Sequence, residues 1–223
     1  DLAIDVWGAD HHGYIARLRA VLKALGYPDD FFDVALVQLV KVVKGGEEIR
    51  MSKRAGDFVT LRELSDEVGV DAARYFFLMR RGDTPFSFDV DLATRQTDEN
   101  PVFYVQMAHA RMSGIFRVAD LDPAAVGPAI DLSALPAALD AELAKALPAF
   151  VDVVARAARE REPHRVCAFL EDLARVVHGW YHHCRVLGEP PEIQRNRLVL
   201  ARAARTVLAN GLAILGLSAP DRM

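Results

Sequence analysis

The period of apolar positions changes along this chain. Up to about residue 91, short apolar runs alternate with helical stretches. Beyond that point the 3.6-residue period runs almost to the end. Residues 2–7 form an apolar run that predicts a buried strand. Gly8-Ala9-Asp10 then makes a turn, with Asp10 placed to cap a helix over about 11–25. Gly26-Tyr27-Pro28-Asp29-Asp30 stops that helix. Residues 33–43, rich in Val and Leu, predict a second strand. Gly45-Gly46 predicts a turn, with a short returning strand over 47–51. Thr60 and Glu63 have capping-box spacing for a helix ending near Gly69. Asp71 is placed to cap the next helix, from Ala72 to about Arg81. Residues 85–91 read as extended, with Phe86 and Phe88 alternating against polar neighbours.

From about Leu92 the pattern predicts helices over roughly 92–119, 136–160, 163–187 and 191–216. Pro136, Pro163 and Pro190-Pro191 fall at or near helix starts, where a missing amide proton costs nothing. Residues 120–133, with Pro123, Gly127 and Pro128, read as a linker. The expected fold class is α/β followed by all-α, with residues 1–92 in the first part and a helical bundle over 93–223.

Composition narrows the setting. The chain has 223 residues, 52% hydrophobic and 26% charged, as expected of a soluble globular protein of one large or two small domains. No apolar run of about 18 residues is present, and no signal-peptide pattern. The chain opens on Asp1 inside an apolar run, so it is expected to be part of a longer protein. Its two cysteines, Cys167 and Cys184, are too few for a disulfide framework, and a reducing cytoplasmic setting is expected. The net charge of −4 excludes a global basic field. Residues 156–222 nonetheless hold 11 Arg against 7 Asp and Glu, a local excess that suits phosphate contacts.

Two short segments carry candidate chemistry. In Trp7-Gly8-Ala9-Asp10-His11-His12, a glycine at a strand end lets a planar base approach the backbone. The following carboxylate is placed to accept hydrogen bonds from a ribose hydroxyl. In Arg50-Met51-Ser52-Lys53-Arg54-Ala55-Gly56, two or three cations and a hydroxyl share a loop. Such a loop suits phosphate charge that builds up in nucleotidyl transfer. Lys53 is the candidate for the main charge, with Ser52 and Arg54 assisting and Met51 as anchor. His178, His182, His183, Cys184 and Cys167 have spacings that could hold zinc. They lack a paired Cys-x-x-Cys, so a partly exposed helix face is preferred and no metal is expected.

The loop resembles the Lys-Met-Ser-Lys-Ser loop of class I aminoacyl-tRNA synthetases. Asp71-Ala72-Ala73-Arg74-Tyr75, Phe86-Ser87-Phe88-Asp89-Val90-Asp91 and Asn100-Pro101-Val102-Phe103-Tyr104-Val105-Gln106-Met107 are similar to segments of arginyl-tRNA synthetases. So is the tail from Asn210 to Met223. The resemblance implies the second half of a Rossmann-type catalytic domain followed by an anticodon-binding bundle. It implies ATP-dependent activation of arginine and its transfer to tRNA, with magnesium accompanying ATP as a substrate and no tightly bound cofactor. Gly8, Asp10, His11, Met51, Ser52 and Lys53 would then meet ATP, with Lys53, Ser52 and Arg54 catalytic. Tyr104, Met107, Arg111, Tyr181 and Met223 would meet the anticodon loop. Tyr104, Met107 and Arg111 share one helix face by spacing. Aromatic rings stack on unpaired bases, and a guanidinium bonds or stacks. Monomer is the family's usual form.

One departure matters. The His-Ile-Gly-His-type motif of the family is absent, and His11-His12 has a different context. The chain alone is therefore expected to be inactive, with activity in a longer parent. A tRNA-binding module without chemistry and another class I synthetase, such as the cysteine enzyme, are the alternatives.

Overall fold

A computed structural model describes residues 2–49 and 60–223. The segment Met51, Ser52, Lys53 and Arg54 lies outside the described residues. The chain divides into two compact units, one formed by Asp1–Thr60 with Arg80–Asp91 and one by Leu61–Met79 with Leu92–Met223.

The first unit begins with β1 (Ala3–Gly8), a 3-10 turn over Ala9–Tyr14 and α1 (Ile15–Ala24), and returns as β2 (Phe32–Val37). β1 and β2 pair in parallel, from Ala3 opposite Phe32 to Gly8 opposite Val37. A parallel pair needs a crossover of this length, and a helix supplies it. Gly26, at φ 89°, ends α1 in the left-handed region that glycine occupies without penalty. Ile4 and Val6 in β1, and Leu2 just before it, alternate in sequence and are all exposed, Val6 by 71%, so one face of this pair is open to solvent.

The strand expected over 33–43 is in fact two strands. β2 stops at Val37, where the Gln38 amide turns to donate to the Gly82 carbonyl at 2.8 Å. β3 (Val40–Lys44) then joins a second sheet in the order β4-β3-β5. It pairs antiparallel with β4 (Glu47–Ile49) and parallel with β5 (Phe86–Asp89). Gly45 and Gly46, both at positive φ, close the hairpin. The Gly45 amide donates to the Asp91 carboxylate at 2.6 Å.

The second unit is helical. α2 (Leu61–Val68) and α3 (Val70–Leu78) belong to it, although both precede residue 92. α4 (Val90–Thr94) carries the chain into α5 (Pro101–Ala119), followed by α6 (Ala138–Ala146), α7 (Ala149–Glu160), α8 (His164–His183) and α9 (Pro191–Ile214). α5, α8 and α9 pack on one another around Val105, Met112, Leu170, Val177, Leu208 and Leu212, all fully buried. A Cβ on Gly211 would lie 2.6 Å from Leu170 Cδ2, so glycine is what lets α9 approach α8. Tyr75 is fully buried and joins α3 to α8, its hydroxyl donating to Glu171 at 2.9 Å.

Two expected helices are interrupted at prolines, and a third ends early. The stretch 92–119 breaks before Pro101, which forces Asn100 into an extended conformation. The Asn100 amide then donates to the carbonyls of Ala93 (3.0 Å) and Arg95 (2.8 Å). The stretch 136–160 breaks at Pro148, which becomes the N-cap of α7. α8 ends at His183, four residues early, where Cys184 turns extended. Asp71 is not a cap. Gly69 holds that position, and Asp71 sits inside the first turn of α3. Its carboxylate accepts from Gln106 on α5 at 2.7 Å and from the Ser218 hydroxyl and amide, fastening the carboxyl-terminal tail.

A buried ion pair fixes α6 against α9. Arg197 donates two bonds to Asp140, at 3.1 and 3.0 Å, and a third to the Arg185 carbonyl at 2.7 Å. Trp180 Nε1 donates to the same carboxylate at 2.7 Å. Asp140 is fully buried, so its charge depends on these partners for compensation.

Candidate functional site

In the first unit, Gly8 ends β1 and the 3-10 turn follows at once. A Cβ on Gly8 would lie 2.5 Å from Asp10 Oδ1, so a side chain there would displace the carboxylate. Asp10 is not a cap, contrary to the sequence expectation: Gly8 holds that position for the 3-10 turn and Tyr14 for α1. Asp10 and His11 are exposed and stand 3.5 Å apart. Beyond them an open cleft of about 540 Å³ is lined by Trp7, His11, Tyr14, Arg17, Leu18 and Val21. Arg17 lies over the Tyr14 ring, 5.2 Å from its centroid. The turn thus presents an exposed carboxylate and an imidazole beside an apolar, aromatic-lined floor.

In the second unit, α5 has two opposed faces by helical period. On one, Gln106, His109, Ser113 and Arg117 recur every three or four residues. They hold the tail through the Ser218 carbonyl (3.0 Å), the Pro220 carbonyl (2.9 Å), the Asp221 carboxylate (2.8 Å) and the Asp221 carbonyl (3.0 Å). Arg205 adds a bond to the Asp221 carboxylate at 3.0 Å. Ser113 and Arg205 hold that carboxyl below the usual range. His109 must donate from Nδ1 to reach a carbonyl. Burial pushes its pKa down, so it is a neutral imidazole fixed in one tautomer.

The opposite face carries Tyr104, Met107 and Arg111, each half-buried. Arg111 donates to His178 Nδ1 at 2.7 Å. His178 Nε2 lies 3.0 Å from the Tyr104 carbonyl. A guanidinium only donates and a carbonyl only accepts. His178 is therefore neutral, with its proton on Nε2. Burial, and then the Arg111 charge, push its pKa down, with Asp98 and the Tyr104 carbonyl opposing and His182 adding to the fall. The Tyr104 and His178 rings are 4.4 Å apart. The Arg111 guanidinium lies over the Tyr181 ring at 5.6 Å. Burial, and then Asp98, raise the Tyr104 phenol pKa, so this hydroxyl keeps its proton.

The structure thus gathers Tyr104, Arg111 and Tyr181 around His178. Tyr181 is 42% exposed. A cleft of about 490 Å³ continues from it, lined by Gly114, Ile115, Val118 and the turn from His182 to Leu187. Met223 is exposed and lines a different cleft of about 500 Å³ with Phe103, Gln106 and Asp71. The face offers two aromatic rings and one oriented cation, an arrangement suited to splayed bases.

The residue that sequence reasoning missed is His178. Its spacing from His182 pointed to a partly exposed helix face, yet it is only 6% exposed. The usable signal was its spacing of three from Tyr181, which puts both on one face of α8. Cys167 is buried, and desolvation with the nearby Glu171 pushes its thiol up to about 12. Among the described residues, no three His, Cys, Asp or Glu side chains converge as metal ligands. No helix among them is long and apolar enough to cross a membrane.

Comparison with known proteins adds the family. Residues 105–223 match the model of the DALR anticodon binding domain. The chain is 50% identical over 222 residues to the arginine–tRNA ligase of Moorella thermoacetica, covering 99% of this chain and 40% of that protein. It is 46% identical to the arginine–tRNA ligase of Listeria monocytogenes, covering all of this chain and again 40% of the relative. A solved structure from Campylobacter jejuni, assigned as an arginyl-tRNA synthetase, superposes with a TM-score of 0.91 at 31% identity, covering all of this chain and 48% of that one. The Thermus thermophilus arginyl-tRNA synthetase superposes with a TM-score of 0.77 at 26% identity, covering all of this chain and 41% of that one. The chain spans about 40% of the length of the curated relatives it matches. With its helical unit, its two-faced α5 and a family model matched over more than half its length, this chain belongs to the DALR anticodon binding domain family.

Proposed function

We propose that this chain is the carboxyl-terminal part of an arginine–tRNA ligase, which activates arginine with ATP and transfers it to tRNA. The observation that carries the reading is the match of residues 105–223 to an anticodon-binding domain, on a surface where Tyr104, Arg111 and Tyr181 converge. The names of its relatives support arginine over cysteine as the amino acid.

In this reading residues 1–60 and 80–91 contribute the second half of a Rossmann-type catalytic domain, and the remainder of 1–92 belongs with the helical unit. The parallel strand–helix–strand unit and its strand-end glycine support that assignment, as does the exposed apolar face of β1. Gly8 admits the adenine, Asp10 accepts from the ribose, and His11 borders the nucleotide. Met51, Ser52, Lys53 and Arg54 supply the phosphate loop, with Lys53 as its principal charge. ATP enters with magnesium as a substrate. Residues 93–223 hold the anticodon loop, with bases stacking on Tyr104 and Tyr181 and Met107 and Met223 making apolar contacts. The protein acts as a cytoplasmic monomer.

Chemistry and binding are tested separately. In the complete protein, Lys53→Ala is expected to lower arginylation of tRNA about a hundredfold or more, the usual effect of removing one transition-state charge partner. It should leave tRNA affinity within about twofold, since each half-kcal/mol change is about a factor of two. An unchanged turnover number would refute the role of the loop.

A further inference from the structure

We propose that His178 is a positioning residue for nucleic-acid recognition, a neutral imidazole that aims the Arg111 guanidinium at the RNA. The inference rests on the anticodon-binding reading above and adds to it a residue that touches no base itself. Arg111 has a long, flexible side chain, and holding it in one rotamer costs conformational entropy. In this structure that cost is met before any ligand arrives. One nitrogen of the guanidinium donates to His178 Nδ1 at 2.7 Å. The imidazole is in turn held by its Nε2 proton on the Tyr104 carbonyl at 3.0 Å. The Tyr104 ring rests against the imidazole at 4.4 Å, and the Tyr181 ring lies beneath the guanidinium at 5.6 Å. His178 itself is buried at 6% exposure and is carried by the carboxyl-terminal part of α8.

The chain of bonds runs in one direction. The α5 backbone accepts from His178, and His178 accepts from Arg111. An acceptor at Nδ1 leaves the remaining guanidinium donors free for an incoming phosphate or base edge. A carboxylate in the same place would neutralise the cation and spend two of those donors. A neutral imidazole orients the charge without cancelling it. The back of α5 is fixed independently by the tail, through Gln106, His109 and Ser113, so the helix that carries Arg111 does not roll.

The test separates the two nitrogens of His178. Asn places its amide near the position of Nδ1, and Gln places its amide near that of Nε2. Equilibrium binding of an unmodified arginine tRNA transcript to the full chain would be measured for Arg111→Ala, His178→Gln, His178→Asn and the double variant Arg111→Ala/His178→Gln. Arg111→Ala is expected to weaken binding about tenfold, the usual order for a charge-assisted bond. His178→Gln should lose nearly as much, and His178→Asn about threefold, since a single neutral bond is worth less. The double variant should bind no more weakly than Arg111→Ala alone, because both changes remove one function. Normal binding by Arg111→Ala would overturn the interface reading itself. A tenfold loss in Arg111→Ala with normal binding by His178→Gln, with equal losses for Gln and Asn, or with an additive double variant would overturn only the positioning role. Nitrogen-15 correlation spectra of the unaltered chain need no variant to fold. They should show His178 neutral and protonated at Nε2 at pH 7, and an Nδ1–H tautomer or an imidazolium would contradict the proposal.

Discussion

The two units treat their candidate site residues in opposite ways. At the strand-end turn, Asp10 and His11 are exposed, and Asp10 holds no cap position. On the α5–α8 face, Arg111 is held by a buried histidine that is itself held by backbone, and α5 is strapped from behind by the tail. The face of the helical unit is held by the chain's own contacts. The turn presents exposed groups beside an open cleft, with Asp10 and His11 3.5 Å apart. The difference matches the roles proposed for the two units. Reading an unpaired base needs stacking planes and donors in place, whereas nucleotidyl transfer needs charge delivered as the phosphate reacts.

Perturbing the packing should break the contrast most visibly where it is strongest. Asp140→Ala leaves Arg197 and Trp180 without their buried acceptor and should cost about 3–5 kcal/mol by urea unfolding. A cost near zero would mean that the helical unit is not held as described. Gly211→Val forces a side chain into Leu170 across the α8–α9 crossing and should cost about 1–3 kcal/mol. It would be read from the shift in thermal midpoint.

Acid should act next. Burial lowers the pKa of both His109 and His178 in the folded chain. The unfolded chain binds their protons at about pH 6.5, and the folded chain only at lower pH. Below about pH 6.5 the unfolded state therefore carries more protons, so stability decreases as the pH is lowered through that window and is unaffected above it. Urea midpoints at several pH values would show this slope, and His109→Gln should flatten it. The smallest effect belongs to the first unit. Val6 is exposed on an open sheet face, so Val6→Ser should change the stability of this chain by less than about 0.5 kcal/mol. A loss as large as that of Asp140→Ala would show that the face is covered.

The sequence was most legible where local chemistry decides structure. The strand-end glycine, the Gly45-Gly46 hairpin and the helix start at Pro191 follow from residue type alone. It was least legible where distant residues decide. The apolar run over 33–43 gives no sign that its two halves serve different sheets, since that depends on Gly82 receiving the Gln38 amide. Asp71 has every local mark of a cap, yet its partners are Gln106 and Ser218, far along the chain. The face of Tyr104, Met107 and Arg111 was visible from spacing. The histidine that orders it was not, because it enters from another helix.

The central claim is that the α5–α8 face reads unpaired RNA, and Tyr181 tests it most directly. It is exposed, so its loss should leave the fold intact. The affinity of the chain for an arginine tRNA transcript should fall about tenfold or more in Tyr181→Ala, the order expected for one stacked base, with the thermal midpoint unchanged. An affinity equal to that of the unaltered chain would contradict the account.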